Sequence, residues 1–189
     1  VGTHIARQAD GLRRLATGAL DGIPGTMYAS DTARDEEIAA GADRGGEELH
    51  TDLDTSAAEL AETFDRVGAA GRWETTVTLR GGTEAPAHVL PSGRLTEVVL
   101  HHVDLDCGVE LDSYDGDTLE AVLAWVAQRM GPRVSEPFEV VTENSRHRLG
   151  PANSEAPEVR GPVADVLGWL TGRATVSPEG AEAISPPPL

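Results

Sequence analysis

Lysine is missing altogether from this 189-residue sequence; all 15 basic residues are arginine. Against them stand 32 Asp and Glu, for a formal net charge of −17. A chain this acidic repels phosphate backbones and anionic lipid headgroups, so neither a nucleic-acid nor a membrane partner is expected. Cysteine is nearly absent too. Cys107 stands alone, no intramolecular disulfide can form, and the chain suits a reducing, cytoplasmic setting. No apolar run approaches the roughly 20 residues of a membrane span. The opening Val1-Gly2-Thr3-His4 lacks both a methionine and a signal-peptide apolar region. What remains is a chain long enough to bury a core without disulfides, expected to act as a monomer on small molecules. Its arginine-only, Ala- and Gly-rich composition speaks of codon usage in a GC-rich genome.

Periodicity supplies the organisation. Ile5, Ala9, Leu12, Ala16 and Leu20 recur at steps of three and four, which predicts a helix over 3–20 with Thr3 as its N-cap. Asp21 to Gly25 breaks it, and a short acidic helix is expected near Thr32–Gly41. Leu49, Leu53, Leu60, Phe64 and Val67 form the apolar stripe of a longer helix over 47–70. Residues 72–80 alternate like a short strand or an extended linker and close at Gly81-Gly82. A helix over 85–106 follows, entered through Pro86 and bent near Pro91-Ser92-Gly93. A further helix spans 117–130, with Asp117 as its expected N-cap. Beyond Gly131-Pro132 the texture changes to strands at 138–142 and 158–160, then a helix over 163–171 opened by Gly161-Pro162. Ser185 to Leu189 is too proline-rich for regular structure. The fold class is therefore mostly α: a helical unit over 1–131, a small α+β unit over 132–180, and a proline-rich tail over 181–189.

Six histidines are present, and one stands in a pattern that carries chemistry. Glu97 and His101 are four residues apart on a helical segment, so their side chains share one face, a turn apart. A carboxylate and an imidazole so placed can reach one ion. A third ligand would come from another helix, and His4 is the best candidate. Zinc suits such a donor set, and three protein ligands leave one position open. On spacing alone, an exposed Glu/His pair without metal is the ordinary reading.

The surrounding residues decide between these readings. G-T-H-I-A-R-Q-A-D-G-L at 2–12 and R-L-T-E-V-V-L-H-H-V-D-L at 94–105 resemble the mycothiol-dependent maleylpyruvate isomerase family, actinobacterial members of the thiol-dependent, DinB-like four-helix-bundle metalloenzymes. The resemblance continues through A-R-D-E-E-I at 33–38 and G-W-L-T-G-R at 168–173. It implies that His4, Glu97 and His101 bind zinc or another divalent metal. It also implies that Arg34, and Arg173 from the C-terminal domain, serve the same site, binding carboxylates of substrate or of the cofactor mycothiol. The implied reaction is cis-trans isomerisation: a thiolate adds to the cis double bond of maleylpyruvate, the new single bond rotates, and elimination returns the thiol. A mycothiol S-transferase acting on another electrophile shares the scaffold, as does a non-catalytic metal-binding homologue. Family members carry another helix before the motif helix, so the resemblance implies that preceding residues are absent here. Gln8 stands where the family pattern has asparagine, Ser92 where it has tryptophan and Thr96 where it has arginine, while Arg94 is kept; no closing tryptophan is present.

Other residues carry plainer expectations. His102 lies about 100° round the helix from His101 and is expected to pack or hydrogen-bond. Asp104 can accept a hydrogen bond from a ligand histidine or lie in the bundle interior. Cys107 is expected to be a buried, inert thiol. His50 and His88 are expected on the surface or between helices, and Trp73, Trp125 and Trp169 in packing roles.

Overall fold

A computed structural model describes residues 1–152 and 155–188. The architecture is mostly helical, with small sheets, and contacts divide the chain into two compact units, Val1–Leu105 and Asp106–Leu189.

The first unit is built on α1 (Gly2–Asp21), which packs along α3 (Gly46–Ala69) and also touches α4 (Leu90–Val103) and the short α2 (Asp31–Ala40). The expected stripe is the buried one: Ala9, Leu12 and Ala16 of α1 meet Leu60 and Val67 of α3, with Leu15 and Leu90 completing the core. Thr3 is not the N-cap. The helix starts at Gly2, and its N-cap is Val1, which supplies no side-chain cap. Thr3 is instead buried in the first turn and donates its hydroxyl to the Gly41 carbonyl at 2.8 Å. A threonine near a helix start reads as a cap in sequence; here a neighbouring backbone oxygen claims it.

Beyond α1 the chain doubles back along its own helix. A Cβ on Gly18 would lie 2.6 Å from the Ile23 carbonyl oxygen, and one on Gly25 would lie 2.6 Å from that of Arg14. Only glycine permits this approach. The return leads into α2, capped by Ser30, whose hydroxyl accepts from the Ala33 N–H at 3.0 Å. Between α3 and α4, β1 (Thr76–Thr78) and β2 (Glu84–Pro86) form an antiparallel hairpin with Val77 opposite Ala85. The start of the helix expected from residue 85 is thus strand, then a 3-10 turn over Ala87–Val89. Gly81 and Gly82, both at positive φ, turn residues 84–86 back onto β1 before helix can begin. Pro91 falls in the first turn of α4, where its missing N–H is not needed.

In the second unit α5 (Gly116–Met130) is capped by Asp115, not Asp117; the Asp115 carboxylate accepts from the Thr118 N–H at 2.8 Å. The sheet has the order β4-β3-β5. Here β3 (Phe138–Val141) runs antiparallel to β4 (Arg146–Leu149) and parallel to β5 (Glu158–Arg160), and α6 spans Val163–Thr171. The division read from sequence after residue 131 differs from these contacts: α5 packs on α6 and β4, and its apolar face of Leu119, Val122, Leu123 and Met130 is buried. Strand β4 escaped the sequence reading because three of its four residues are Arg146, His147 and Arg148. Arg146 bonds both Glu139 and Glu158 across the sheet. Past α6, Glu179 bridges Arg160, Ala181–Ala183 make a 3-10 turn, and Arg133 donates to the Pro188 carbonyl at 2.7 Å. Among the described residues no helix is long and apolar enough to cross a membrane.

Candidate metal site

The His4 imidazole stands in the first turn of α1, and Glu97 and His101 lie a turn apart on α4. Residues 93 positions apart thereby meet: His4 Nε2 is 2.9 Å from Glu97 Oε2. His101 Nε2 is 3.3 Å from the same oxygen. The two rings are edge to face, with centroids 4.8 Å apart and planes at 84°.

Arg94 holds the two helices in this relation. Its guanidinium donates to the Ile5 carbonyl at 2.7 Å and to the Gln8 side-chain oxygen at 2.8 Å. The asparagine position of the family pattern thus keeps a side-chain carbonyl in Gln8, which is buried. Burial lowers the pKa of Arg94, opposed by the Glu97 charge.

The donor set fits a divalent ion. One ligand atom from each of His4, Glu97 and His101 lies within 4.8 Å of the others, the only such group of His, Cys, Asp and Glu among the described residues. Tetrahedral zinc with bonds of about 2.0–2.2 Å sets its donors about 3.4 Å apart, close to the contacts seen. Burial works against charge on Glu97, but hydrogen bonds and charge from His101 and His4 outweigh it and hold its pKa at about 2. The carboxylate is therefore ionised, as a ligand must be. For His101, the hydrogen bond to Glu97 leads in raising the pKa; burial opposes it, and Asp104 adds to it.

The remaining expected residues are placed as follows. Arg34 joins the cluster: its Nη2 lies 3.3 Å from His4 Nδ1 and its Nη1 donates to Asp35 at 2.7 Å. It also sits over the Tyr28 ring, 6.0 Å from the centroid. Sequence reading passed over Tyr28, whose hydroxyl donates to the Arg7 carbonyl at 3.3 Å. Arg173 belongs to the second unit, just past α6, where its Nη1 donates to the Thr171 carbonyl at 2.9 Å. Asp104 takes the first of its two expected roles, with Oδ2 2.7 Å from His101 Nδ1. His102 is exposed. Cys107 is exposed rather than buried, because α4 ends at Val103 and the chain leaves it through Asp106 and Gly108 at positive φ. His50 and His88 are both exposed, beside Asp54 and Glu74.

The family profile of the mycothiol maleylpyruvate isomerase N-terminal domain matches residues 1–106, the stretch that holds His4, Arg34, Glu97 and His101. The chain belongs to this family. Its fold is similar to a crystal structure of the mycothiol-dependent maleylpyruvate isomerase, with a TM-score of 0.84 at 26% identity, over 100% of this chain and 80% of the other. A crystal structure of a histidine-to-alanine mutant of such an isomerase is equally similar, with a TM-score of 0.84 at 25% identity and the same coverage. Among curated protein sequences, none matches.

Proposed function

We propose that the chain is a mycothiol- and zinc-dependent isomerase of the maleylpyruvate type, working by reversible thiol addition in a reducing cytoplasm. The observation that carries this reading is the convergence of His4, Glu97 and His101 from two helices within the part of the chain that matches the family. These three residues would hold the metal. Bound there, a zinc ion holds a thiol as thiolate and so supplies the nucleophile.

The chain's own residues supply the rest. Glu97 contributes negative charge at the centre of the cluster, and Arg94 fixes the distance between the two ligand helices. Arg34 offers donors to an anionic group, such as a carboxylate of the substrate or of the cofactor, through charge-assisted hydrogen bonds. In a protein with a net charge of −17, such an arginine draws a small dianion to one place.

The test is incubation of purified zinc-loaded protein with mycothiol and maleylpyruvate. Loss of substrate absorbance and appearance of the trans isomer, with total thiol unchanged, is the expected result. Stoichiometric thiol consumption on another electrophile would instead identify a mycothiol S-transferase. Zinc binding with neither activity would leave a non-catalytic homologue.

A further inference from the structure

The two histidines of the site have outer partners of opposite hydrogen-bonding character. His101 Nδ1 faces the Asp104 carboxylate at 2.7 Å, an acceptor only. His4 Nδ1 faces the Arg34 guanidinium at 3.3 Å, a donor only. Both Nε2 atoms face Glu97.

Consider what each ring needs in order to ligate a metal through Nε2. That nitrogen must present a lone pair, so a neutral ring carries its proton on Nδ1. His101 differs from His4 at its outer nitrogen: its Nδ1–H stays on Asp104 whether or not a metal is bound, and only the proton with which Nε2 faces Glu97 would have to leave, which makes Asp104 a positioning residue for this ligand. His4 does not meet the condition. Accepting from Arg34 at Nδ1 leaves the proton on Nε2, where it is donated to Glu97 at 2.9 Å. Metal at Nε2 would move that proton to Nδ1, and an N–H would then point at an N–H.

We propose that Arg34 and the metal compete for His4, so that loading the metal breaks the Arg34–His4 contact and frees the guanidinium for an anionic ligand. Arg34 would stay nearby through Asp35, bonded at 2.7 Å, and through the ring of Tyr28. The anion-binding group would then become available only once the metal is in place. The inference rests on the metal-site reading above and adds to it an order of events.

The experiment is zinc titration against a chromophoric chelator for wild-type protein and for the variants Arg34→Met, Arg34→Gln and Asp104→Ala. Loss of the competing bond should tighten zinc binding in Arg34→Met by about 3- to 10-fold. Arg34→Gln should tighten it at least as much, because the amide oxygen can accept from Nδ1–H. Asp104→Ala should weaken it by about 10- to 100-fold. Nitrogen NMR of the imidazoles supplies a readout independent of affinity and of activity. In metal-free wild type, His4 should carry its proton on Nε2, and on Nδ1 after zinc is added. Arg34 variants that bind zinc no better than wild type, or a metal-free His4 already protonated on Nδ1, would overturn the inference while leaving the metal site standing. A wild-type protein that binds no zinc would overturn both. Thermal melts of the metal-free variants separate either result from misfolding.

Discussion

The guanidinium of Arg94 donates to the side-chain oxygen of Gln8 at 2.8 Å, joining α4 to α1 one turn beyond His4. Arg94 lies three residues before Glu97, so the bond sets the spacing between metal ligands that come from different helices. Replacing Gln8 with Ala leaves a half-buried guanidinium with one acceptor fewer. That should cost about 1–3 kcal/mol in urea denaturation of the metal-free protein. Zinc affinity should fall with it, since the ligand helices lose a brace.

His101→Ala should remove stoichiometric zinc. Metal analysis after dialysis checks this, and zinc retained at wild-type stoichiometry would refute the assignment of the ligands. His102→Ala, on the next residue of the same helix and exposed, should leave zinc content unchanged.

The cluster gives the metal-free protein a defined pH response. The Glu97 pKa is lowered from 4.5 to about 2, so its contribution to stability is present above pH 4.5 and lost as pH falls toward 2. The His101 pKa is raised from 6.5, so its contribution is present below pH 6.5 and lost as pH rises through the higher folded value. Stability from these two groups is therefore greatest between about pH 4.5 and 6.5. Urea titrations across pH should show this maximum, flattened in Glu97→Gln. Zinc affinity should instead climb with pH above 6.5, because the ion displaces the proton that His101 holds.

Gly25→Ala forces a methyl group against the Arg14 carbonyl oxygen, 2.6 Å from the new Cβ. Overpacking of this kind should lower stability by about 1–3 kcal/mol. The displaced return segment leads into α2, which carries Arg34. Circular dichroism melts would measure the first effect.

Leu167→Ala probes the other unit. Leu167 is fully buried in α6, and truncating it should cost about 2–5 kcal/mol. Zinc stoichiometry at 25 °C should stay at the wild-type value, because all three ligands lie in Val1–Leu105.

Elements with strong periodicity were legible from sequence alone. The spans of α1, α3 and α6 lie within a residue or so of those read from apolar spacing, because burial of one face is what selects them. Ends set by single hydrogen bonds were less legible: Thr3 and Asp117 both look like caps, yet the Gly41 carbonyl claims the first and Asp115 takes the place of the second. β4 was invisible because its Arg146 and Arg148 pair with Glu139 across the sheet, and only the fold supplies that partner. At the site, Glu97 and His101 followed from helical geometry. His4 joined them through the words around it, since no local rule links residues 93 positions apart. Arg34's contact with His4, and the choice between the two roles open to Asp104, needed coordinates.

That separation has a mechanical meaning. An ion held by His4 and Glu97 would act as a clasp on the closed chain, tying the first turn of α1 to α4 across everything between them. An unfolded chain cannot keep those three ligands together without surrendering the freedom of the long loop they close. The apparent melting temperature of the protein should therefore depend on free zinc as well as on packing, and a chelator would act on it as a mild denaturant.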